Sequence, residues 1–248
     1  MPNPLISKLE RIAALTEAEK QVLEGAVAHS CDLPSGVDLI LAGEQPAGCT
    51  LLLEGWACRY KLLPEGKRQV IDFIIPGDLC DFGGFVMGSM DHSISTLTPA
   101  KVALIPGEAL LGILDSHPAL ARTLWQETLT NAAIAREWVV NVGRRSPYER
   151  LAHLMCEMGL RLKAADLDDG FRFEFPVTQA DLADATGLTP VHVNRTLQEM
   201  RSDGLLTWID GEVVIPDWQR LQKAGTFSPD YLFIKPSVRD AGPTAAGA

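Results

Sequence analysis

The sequence lacks the features of a membrane protein or a secreted protein. No apolar run in its 248 residues approaches the ~18 to 20 residues that a membrane-spanning helix needs. The N-terminal segment has no basic stretch followed by an apolar one, so we expect no secretory signal. The five cysteines are scattered without a Cys-x-x-Cys pair, which suits reduced thiols better than a disulfide framework. These absences predict a cytoplasmic protein with no membrane partner.

The usual sequence signatures of enzymes are also missing. The chain contains no glycine-rich phosphate loop, no Gly-x-Ser-x-Gly motif and no credible nucleophile triad. A metalloenzyme of the cupin type would need two or three histidines and a carboxylate converging on the metal. Only His92 lies in the region that resembles a β-barrel, and no His-x-His occurs. We therefore expect no catalytic residues and no metal site, with a cupin-type metalloenzyme as the alternative hypothesis.

An excess of basic charge is absent as well. Lys and Arg number 22 against 32 Asp and Glu, which gives a formal net charge of −10. Net charge governs non-specific association rather than fold, and an acidic chain gains no general affinity for nucleic acid. Any DNA-binding function must therefore rest on a local motif.

Residues 31–106 have the pattern of an antiparallel β domain that follows N-terminal helices. Thr16 and Glu19 form a Thr-x-x-Glu capping box, which predicts a helix running to Ala28. Six short apolar runs separated by glycine or proline then predict strands, and Pro64-Glu65-Gly66-Lys67 predicts a hairpin turn. These runs are Asp38–Leu41, Thr50–Leu53, Ala57–Leu63, Val70–Ile75, Ile94–Leu97 and Lys101–Ile105. The pattern favours a β-roll or jelly-roll barrel.

A long helix is predicted next, because residues 119–142 contain neither glycine nor proline. At ~1.5 Å per residue it would be ~36 Å long, which is more than one small barrel can cover. Pairing with a second copy would bury its apolar stripe, and packing on its own domain alone is the alternative. We expect Gly143 to end this helix and Ser146-Pro147-Tyr148-Glu149 to begin the next one. The predicted dimerisation residues are Leu120, Leu124, Asn131, Ile134, Trp138 and Val142.

Residues 177–198 carry the pattern of a helix-turn-helix. Thr178 and Asp181 form a capping box for a first helix, which Gly187 ends. Thr189 and Pro190 then begin a second helix. The residues spaced to face inward are Leu182, Leu188, Val193 and Leu197. Strands predicted at Phe171–Phe175, Leu205–Ile209 and Glu212–Ile215, the last two joined by Asp210-Gly211, complete a winged helix-turn-helix.

The second helix of such a motif enters the major groove of DNA with its N-terminal residues at the base edges. We predict that Arg195 contacts guanine, with pairing to Glu199 as the alternative, and that Asn194 can read adenine. Val191 offers apolar contact to a thymine methyl group, and His192 is either a phosphate ligand or an exposed residue without function. Thr178, Gln179 and Thr189 are placed to meet phosphates. The complete set is Thr178, Gln179, Thr189, Pro190, Val191, His192, Asn194, Arg195 and Gln198.

In this order of elements the chain resembles the CRP/FNR family of bacterial transcription regulators over about residues 5–222. The segments that carry the resemblance are Glu65-Gly66-Lys67-Arg68, Pro76-Gly77-Asp78-Leu79, His117-Pro118, Tyr148-Glu149-Arg150-Leu151 and residues 178–197. The resemblance implies a homodimer joined by helix 119–142, and a two-fold DNA site with half-sites ~34 Å apart. It also implies recruitment or obstruction of RNA polymerase.

The fold class implied is α+β, divided into four segments along the chain. Residues 1–117 would form a sensor β-roll, and residues 118–145 a dimerisation helix with a hinge. Residues 146–225 would form the winged helix-turn-helix. Residues 226–248 would be a loosely ordered C-terminal tail, whose segment 231–234 could pack back on the body.

Departures from the family concern the effector. The members that bind cyclic AMP carry a glutamate that holds the ribose and an Arg-Ser pair that neutralises the cyclic phosphate. Phe82 stands in place of that glutamate and His92-Ser93 in place of that pair. A histidine near its ordinary pKa of ~6.5 is mostly neutral at pH 7 and substitutes poorly for a guanidinium. We therefore expect no evident cofactor, and cyclic AMP is disfavoured in its usual mode.

Other members need a cysteine cluster near the N-terminus for an iron–sulfur centre, and only Cys31 lies there. Haem-binding members need axial ligands in the barrel, for which Cys80 and His92 are the nearest residue types. In the recognition helix, Val191 stands where many members have glutamate, so the usual half-site sequence should not be assumed. The candidate effector pocket is Phe82, Gly83, Gly84, His92, Ser93 and Arg136, and its cations favour an anionic ligand. A barrel without any ligand and a cyclic-nucleotide-responsive regulator with a divergent pocket are the alternatives.

Overall fold

The computed structural model describes residues 3–165, 167, 169 and 171–234. Two compact units make up the chain, and the division between them falls between Asn131 and Ala132. It therefore lies within the long helix that runs from Pro118 to Arg144. No helix of the described ranges combines the length and the apolarity needed to cross a membrane.

The first unit begins with two helices, α1 (Pro4–Glu10) and α2 (Glu17–Ala26). The predicted capping box of α2 is present, since the Thr16 hydroxyl accepts from the Glu19 amide at 3.3 Å. In return, the Glu19 carboxylate accepts from the Thr16 amide at 2.8 Å. The helix ends at Ala26 rather than at Ala28, and its apolar face packs into a core together with α1.

Seven strands of the first unit form two antiparallel sheets. They are β1 (Ser30–Leu33), β2 (Asp38–Ile40), β3 (Gly48–Glu54), β4 (Ala57–Leu62), β5 (Arg68–Ile74), β6 (Ser93–Thr96) and β7 (Ala100–Pro106). One sheet has the order β1-β7-β3 and the other has the order β2-β6-β4-β5. The β-roll prediction is confirmed, as two sheets rather than a closed barrel. The predicted hairpin turn joins β4 to β5, where the Leu63 amide donates to the Lys67 carbonyl at 2.9 Å.

Three elements of this unit were not predicted. They are β1, the short helix α3 (Phe82–Met87) and helix α4 (Gly107–Ser116). Strand β1 is mostly exposed and carries no apolar alternation, while α3 contains two glycines in a single helical turn and a half. Such weak local preferences are overridden by packing: Leu110 and Ile113 of α4 are buried in the same core as α1 and α2.

The long helix is α5 (Pro118–Arg144), and α6 (Pro147–Ala164) follows it in the second unit. The prediction that Gly143 ends α5 is wrong, because Gly143 lies within its last turn. A glycine costs ~1 kcal/mol in a helix but does not by itself terminate one. The chain turns instead at Ser146, whose hydroxyl accepts from the Glu149 amide at 3.3 Å and caps α6.

The second unit contains a three-stranded sheet and a helical pair. The elements are β8 (Arg172–Glu174), α7 (Gln179–Thr186), α8 (Pro190–Ser202), β9 (Thr207–Ile209), β10 (Glu212–Val214) and α9 (Trp218–Ala224). The sheet order is β8-β10-β9, and Asp210 and Gly211 join β9 to β10 with φ values of 52° and 83°. Two consecutive positive φ values are those of a hairpin turn that matches the strand twist. The predicted winged helix-turn-helix is confirmed.

In the described part of the C-terminal segment the chain packs back on the second unit, as the sequence left open for residues 231–234. A 3-10 turn spans Pro229–Leu232, and Phe227 and Leu232 are buried. Gly225 lies so close to α6 that a Cβ there would come within 2.6 Å of the His153 amide nitrogen. Phe233 is exposed, and residues 235–248 lie outside the described ranges. Apolar burial of Phe227 and Leu232 and the polar contact of the Tyr231 hydroxyl with Glu157 both anchor this segment.

Candidate nucleic-acid interface and effector region

The two helices of the helix-turn-helix are set by their caps. The Thr178 hydroxyl accepts from the Asp181 amide at 3.1 Å and donates to the Asp181 carboxylate at 2.5 Å, which begins α7. Gly187 ends α7 with φ of 66°, a left-handed conformation that glycine adopts without strain. Thr189 caps α8 by accepting from the His192 amide at 3.2 Å, with Pro190 in the first helical turn. The sequence predicted all of these features.

The inner face of the motif is apolar, as predicted. Leu182, Val193 and Leu197 are buried, and Leu188 is half-buried. Because these side chains pack α7 against α8, the angle between the two helices is fixed. A fixed angle lets α8 present its outer face as one rigid surface.

That outer face is accessible and polar. The exposed residues are Pro190, Val191, Asn194, Arg195 and Gln198, while His192 is half-buried. Val191 is the one large apolar residue among them, and its side chain is 80% exposed. An apolar side chain this exposed at the start of α8 is accessible to a binding partner.

Hydrogen bonds connect the polar side chains of this face. The Arg195 guanidinium contacts His192 Nε2 at 2.9 Å, so the alternative pairing with Glu199 is replaced by one with His192. Asn194 Nδ2 donates to Gln179 Oε1 at 3.2 Å, and Gln198 Nε2 donates to Asn194 Oδ1 at 3.0 Å. These contacts form two separate groups, one of Arg195 with His192 within α8 and one that joins Gln179 of α7 to Asn194 and Gln198 of α8.

The wing differs from this face in its charge. Glu212 of β10 lies opposite Glu174 of β8, and Asp210 stands at the turn. Arg172 balances part of this charge through a contact of 3.3 Å to Glu212. Because acidic side chains repel phosphates, the wing is electrostatically less favourable for an anionic partner than the outer face of α8.

The predicted dimerisation residues do not share an exposed face. Leu120 and Leu124 are buried in the core of the first unit, and Ile134 and Trp138 are buried in the second. Trp138 Nε1 donates to Glu157 Oε1 at 2.9 Å. Only Val142 is substantially exposed, so the structure contradicts the predicted stripe as an accessible surface.

A different row of α5 is accessible. Trp125, Leu129 and Val139 are exposed to 68%, 56% and 69%. The full row is Trp125, Leu129, Ala132, Arg136, Val139 and Gly143. Its spacing alternates between four and three residues, which is the spacing of a coiled-coil seam. We call this row the outer row. Because apolar residues occur on more than one stripe of α5, the sequence could not indicate which stripe is covered by the chain itself.

Arg150 connects the end of α5 to the helix-turn-helix. Its guanidinium donates to the carbonyls of Asn141, Val142 and Arg145 at 3.0, 2.9 and 3.0 Å. It also donates to the carbonyl of Thr186 at the end of α7. Carbonyls in the last turn of a helix lack partners within the helix, and a cation there is favoured by the helix dipole. One side chain thus binds the ends of two helices.

A buried polar network fastens the C-terminal segment to α6. Glu157 is fully buried and accepts from Trp138 and from the Tyr231 hydroxyl at 2.7 Å. His153 contacts the same hydroxyl at 3.1 Å and the Gly225 carbonyl at 3.3 Å. Burial lowers the pKa of His153 to about 4, so this imidazole is neutral at pH 7.

The motif Pro76-Gly77-Asp78 has a structural role in the first unit that the sequence did not reveal. Lys8 of α1 pairs with both Asp78 and Glu127, the latter on α5. Asp78 also accepts from the Ile75 amide at 3.0 Å. Burial alone would lower the pKa of Lys8, but the two carboxylates outweigh it and raise this pKa. The loop after β5 is thereby joined to α5.

The candidate effector residues are dispersed. Phe82 packs on the core formed with α1, α2 and α4, so it does not fill the interior of the roll. A Cβ at Gly84 would overlap the sulfur of Met90, and Met90 itself lies in the roll interior. Ser93 is buried and accepts from the Ala42 amide at 3.0 Å. Gly83 is exposed on α3. Arg136 is exposed on the part of α5 that belongs to the second unit.

Two basic side chains of the roll, His92 and Arg59, do not suit a cyclic phosphate. His92 Nδ1 contacts Asp91 at 2.7 Å, and burial lowers the pKa of His92, which leaves its ring neutral. Arg59 pairs with Asp72 and donates to the carbonyls of Leu79 and Cys80 at 2.8 and 3.3 Å. Both groups are therefore committed to the protein. The residues present do not fit a cyclic nucleotide in the mode of the cyclic-AMP-binding members.

Metal ligation receives no support from the described part of the chain. Within it, no group of three or more His, Cys, Asp or Glu side chains is placed to hold a metal ion. Cys80 lies in the roll interior, where burial raises the pKa of its thiol. His92 Nε2 is buried and has no hydrogen-bond partner among the described residues.

A β-roll, a long helix and a winged helix-turn-helix define a DNA-binding regulator with an appended sensor-type domain. Two family models match the chain: a cyclic nucleotide-binding domain over residues 31–117 and a Crp-like helix-turn-helix domain over residues 149–224. The chain belongs to the CRP/FNR family of bacterial transcription regulators. It is a regulator rather than an enzyme, so the metalloenzyme alternative is wrong.

Similarity to individual bacterial regulators supports this assignment. The chain is 31% identical to the transcriptional activatory protein AadR of Rhodopseudomonas palustris, over 68% of this chain and 67% of that protein. It is 29% identical to the nitrogen fixation regulation protein FixK of Bradyrhizobium diazoefficiens, over 69% of this chain and 71% of the relative. The solved structure of FixK2 from Bradyrhizobium japonicum is similar with a TM-score of 0.72 and 25% identity, over 80% of this chain and 97% of that one.

Proposed function

We propose that this regulator acts as a homodimer that binds a two-fold DNA operator through a pair of α8 helices. The observation that carries the proposal is the outer face of α8, which is exposed, polar and rigidly mounted on α7. Recognition helices of paired helix-turn-helix domains enter the major groove one helical turn apart, ~34 Å. A dimer would supply two such faces in a fixed relation.

The outer row of α5 supports pairing with a second copy. Helix α5 has 27 residues and exposes large apolar side chains at coiled-coil spacing. These side chains lose contact with water when two such helices pair. Arg136 interrupts the row, and it has no ion pair or hydrogen bond within the described residues. A charged residue at one seam position lowers dimer stability while fixing the register.

On DNA, each residue class would have a distinct role. Arg195 would contact guanine, and Val191 a thymine methyl group. The Thr189 hydroxyl already accepts from the His192 amide, so its own O–H remains free to donate to a phosphate. Gln179 and the free amides at the start of α7 would meet a second phosphate. The Thr178 hydroxyl is occupied by Asp181, so its contribution would come through the cap.

The roll would act as the sensor and α5 as the transmitting element. The Lys8, Asp78 and Glu127 cluster joins the roll to α5 within the first unit, and Arg150 joins the end of α5 to α7 within the second. A signal that alters the pairing of α5 would therefore reach the orientation of α8. We propose that the roll binds an effector other than cyclic AMP, or no effector. We also propose that the regulator is cytoplasmic and contacts RNA polymerase. The domain limits 1–117, 118–145 and 146–225 remain proposals.

The test is a selection of DNA from random sequence with the purified full-length chain, followed by footprinting of the selected site. The proposal expects an inverted repeat whose half-sites are protected one helical turn apart. A selected site without two-fold symmetry, or no selected site at all, would overturn it. Calorimetry with cyclic AMP is expected to show no heat of binding. Saturable binding that strengthens association with the operator would favour the cyclic-nucleotide-responsive alternative.

A further inference from the structure

The polar side chains on the outer face of α8 are not equally free to meet a base. Reading a base pair by hydrogen bonds requires donors or acceptors that are available in a fixed orientation. Arg195, His192, Asn194 and Gln198 all lie on this face, but their recorded contacts differ in kind. The difference separates Arg195, which keeps free donors, from His192 and Asn194, whose polar atoms hold neighbouring side chains.

The contact between Arg195 and His192 defines the state of the imidazole. A guanidinium has only donors, so His192 Nε2 must be the acceptor at 2.9 Å, and the ring proton resides on Nδ1. His192 is three residues before Arg195, on the same side of the helix, and is half-buried. Its ring therefore restricts the guanidinium while leaving the remaining N–H groups of Arg195 free. An arginine held in this way loses less rotamer entropy when it forms two bonds with guanine.

Asn194 is placed differently, because both ends of its amide are engaged. Its nitrogen donates to Gln179 at 3.2 Å and its oxygen accepts from Gln198 at 3.0 Å. A bidentate contact with adenine would require the same nitrogen and the same oxygen to turn toward one base. The present contacts instead join the start of α7 to the middle of α8. Asn194 is the middle member of this row of three hydrogen-bonded amides, and Gln179 and Gln198 are its two ends.

We propose that His192 and Asn194 are positioning residues of α8, His192 for the base-reading Arg195 of the proposed function and Asn194 for two neighbouring amides. His192 fixes the guanidinium, and Asn194 holds Gln179 and Gln198 in place. The inference rests on the proposed function and deepens it, because it limits the number of side chains that read DNA directly. It replaces the expectation that Asn194 reads adenine and that His192 binds phosphate or does nothing.

The test is a double-variant cycle on the selected operator and on all of its single-base-pair substitutions. Arg195→Ala is expected to lose roughly 10- to 150-fold in affinity and to lose discrimination at one base pair of each half-site. His192→Leu, which removes the acceptor, is expected to lose roughly 3- to 10-fold, the range of one net hydrogen bond, with the loss at that same base pair. His192 and Arg195 replaced together should bind no more weakly than Arg195→Ala alone.

Two further variants separate positioning from simple loss of structure. His192→Gln restores a neutral acceptor and should recover most of the discrimination. Glu199→Gln, one turn beyond Arg195 on the exposed side, is the matched control and should leave the profile unchanged. Unfolding by urea, followed for every variant, tests that the fold is kept.

Asn194→Ala should weaken binding to the operator. It should not remove a preference for adenine at any base pair where Gln179→Ala and Gln198→Ala keep that preference. Loss of adenine preference specific to Asn194→Ala would overturn its positioning role. Additive losses of His192→Leu and Arg195→Ala, or a change of preference at a different base pair, would overturn the role of His192. If the wild-type chain selects no DNA site, the proposed function itself fails, and that outcome differs from both.

Discussion

Two leucines of α5 differ in exposure, and only one of them lies on the outer row. Leu124 is 2% exposed and belongs to the core of the first unit, whereas Leu129 is 56% exposed. Leu124→Ala should lower the free energy of unfolding by about 2–5 kcal/mol, the usual cost of truncating a buried leucine. Leu129→Ala should change the stability of the isolated protomer by no more than about 0.5 kcal/mol.

The dimer should respond in the opposite order. Full burial of a leucine is worth about 1.5–3 kcal/mol, so the exposed part of Leu129 is worth about 1–1.5 kcal/mol when the seam closes. Two copies contribute about 2–3 kcal/mol, which raises the dissociation constant roughly 30- to 150-fold in Leu129→Ala. The estimate assumes only that the outer rows of the two copies face each other in the dimer.

Sedimentation equilibrium over a concentration series measures the dissociation constant, and urea unfolding of the same samples measures stability. A dissociation constant of Leu129→Ala within threefold of the wild type would refute the outer row as the seam. Weaker association of Leu124→Ala without any loss of unfolding free energy would support the stripe first predicted from the sequence.

Three further perturbations follow from single side chains. Burial lowers the pKa of His153 to about 4, below the value of ~6.5 in an unfolded chain, so the unfolded state binds the extra proton between these values. The free energy of unfolding should therefore fall by up to about 3 kcal/mol as the pH drops from 6.5 toward 4, and His153→Gln should flatten this slope in urea titrations. Arg150→Lys removes the fork that binds four carbonyls and should destabilise the second unit by about 1–3 kcal/mol in thermal unfolding. Arg172→Lys, an exposed pair, is its control and should cost less than about 1 kcal/mol. Arg136→Leu should tighten the dimer at least roughly tenfold in sedimentation, since it removes two facing charges; weaker association would place Arg136 outside the seam.

Local signals predicted the helix starts and the wing well, because they depend on neighbouring residues only. The hydroxyls of Thr16, Ser146 and Thr178 each cap a helix as the Thr/Ser-x-x-acid spacing indicates. The turn at Asp210-Gly211 likewise needs no tertiary information. These features placed the start of α8 correctly at Pro190.

Features decided by tertiary contact were not predictable in the same way. Leu124 and Leu129 are identical residues five positions apart, and only packing decides which of them is covered. Asp78 and Lys8 are 70 residues apart in the chain, and the polar anchoring of Tyr231 by Glu157 spans 74. Such pairs leave no periodic pattern, so composition and spacing cannot reveal them.

The effector region illustrates a further limit. Replacement of the ribose-binding glutamate by Phe82 was visible in the sequence, but the destination of the ring was not. The ring packs on the helical core, while Met90 lies in the roll interior. The sequence shows which group is replaced, whereas the position of the replacing ring depends on tertiary packing.

The spacing of the operator half-sites tests the central claim most directly. Anisotropy titrations would compare the selected operator with one that carries five additional base pairs between its half-sites. The insertion turns one half-site by about half a helical turn relative to the other, so a dimer with fixed α8 helices can occupy only one of them. We expect affinity to fall to that of an isolated half-site. Equal affinity for both duplexes would contradict a paired, two-fold recognition of DNA.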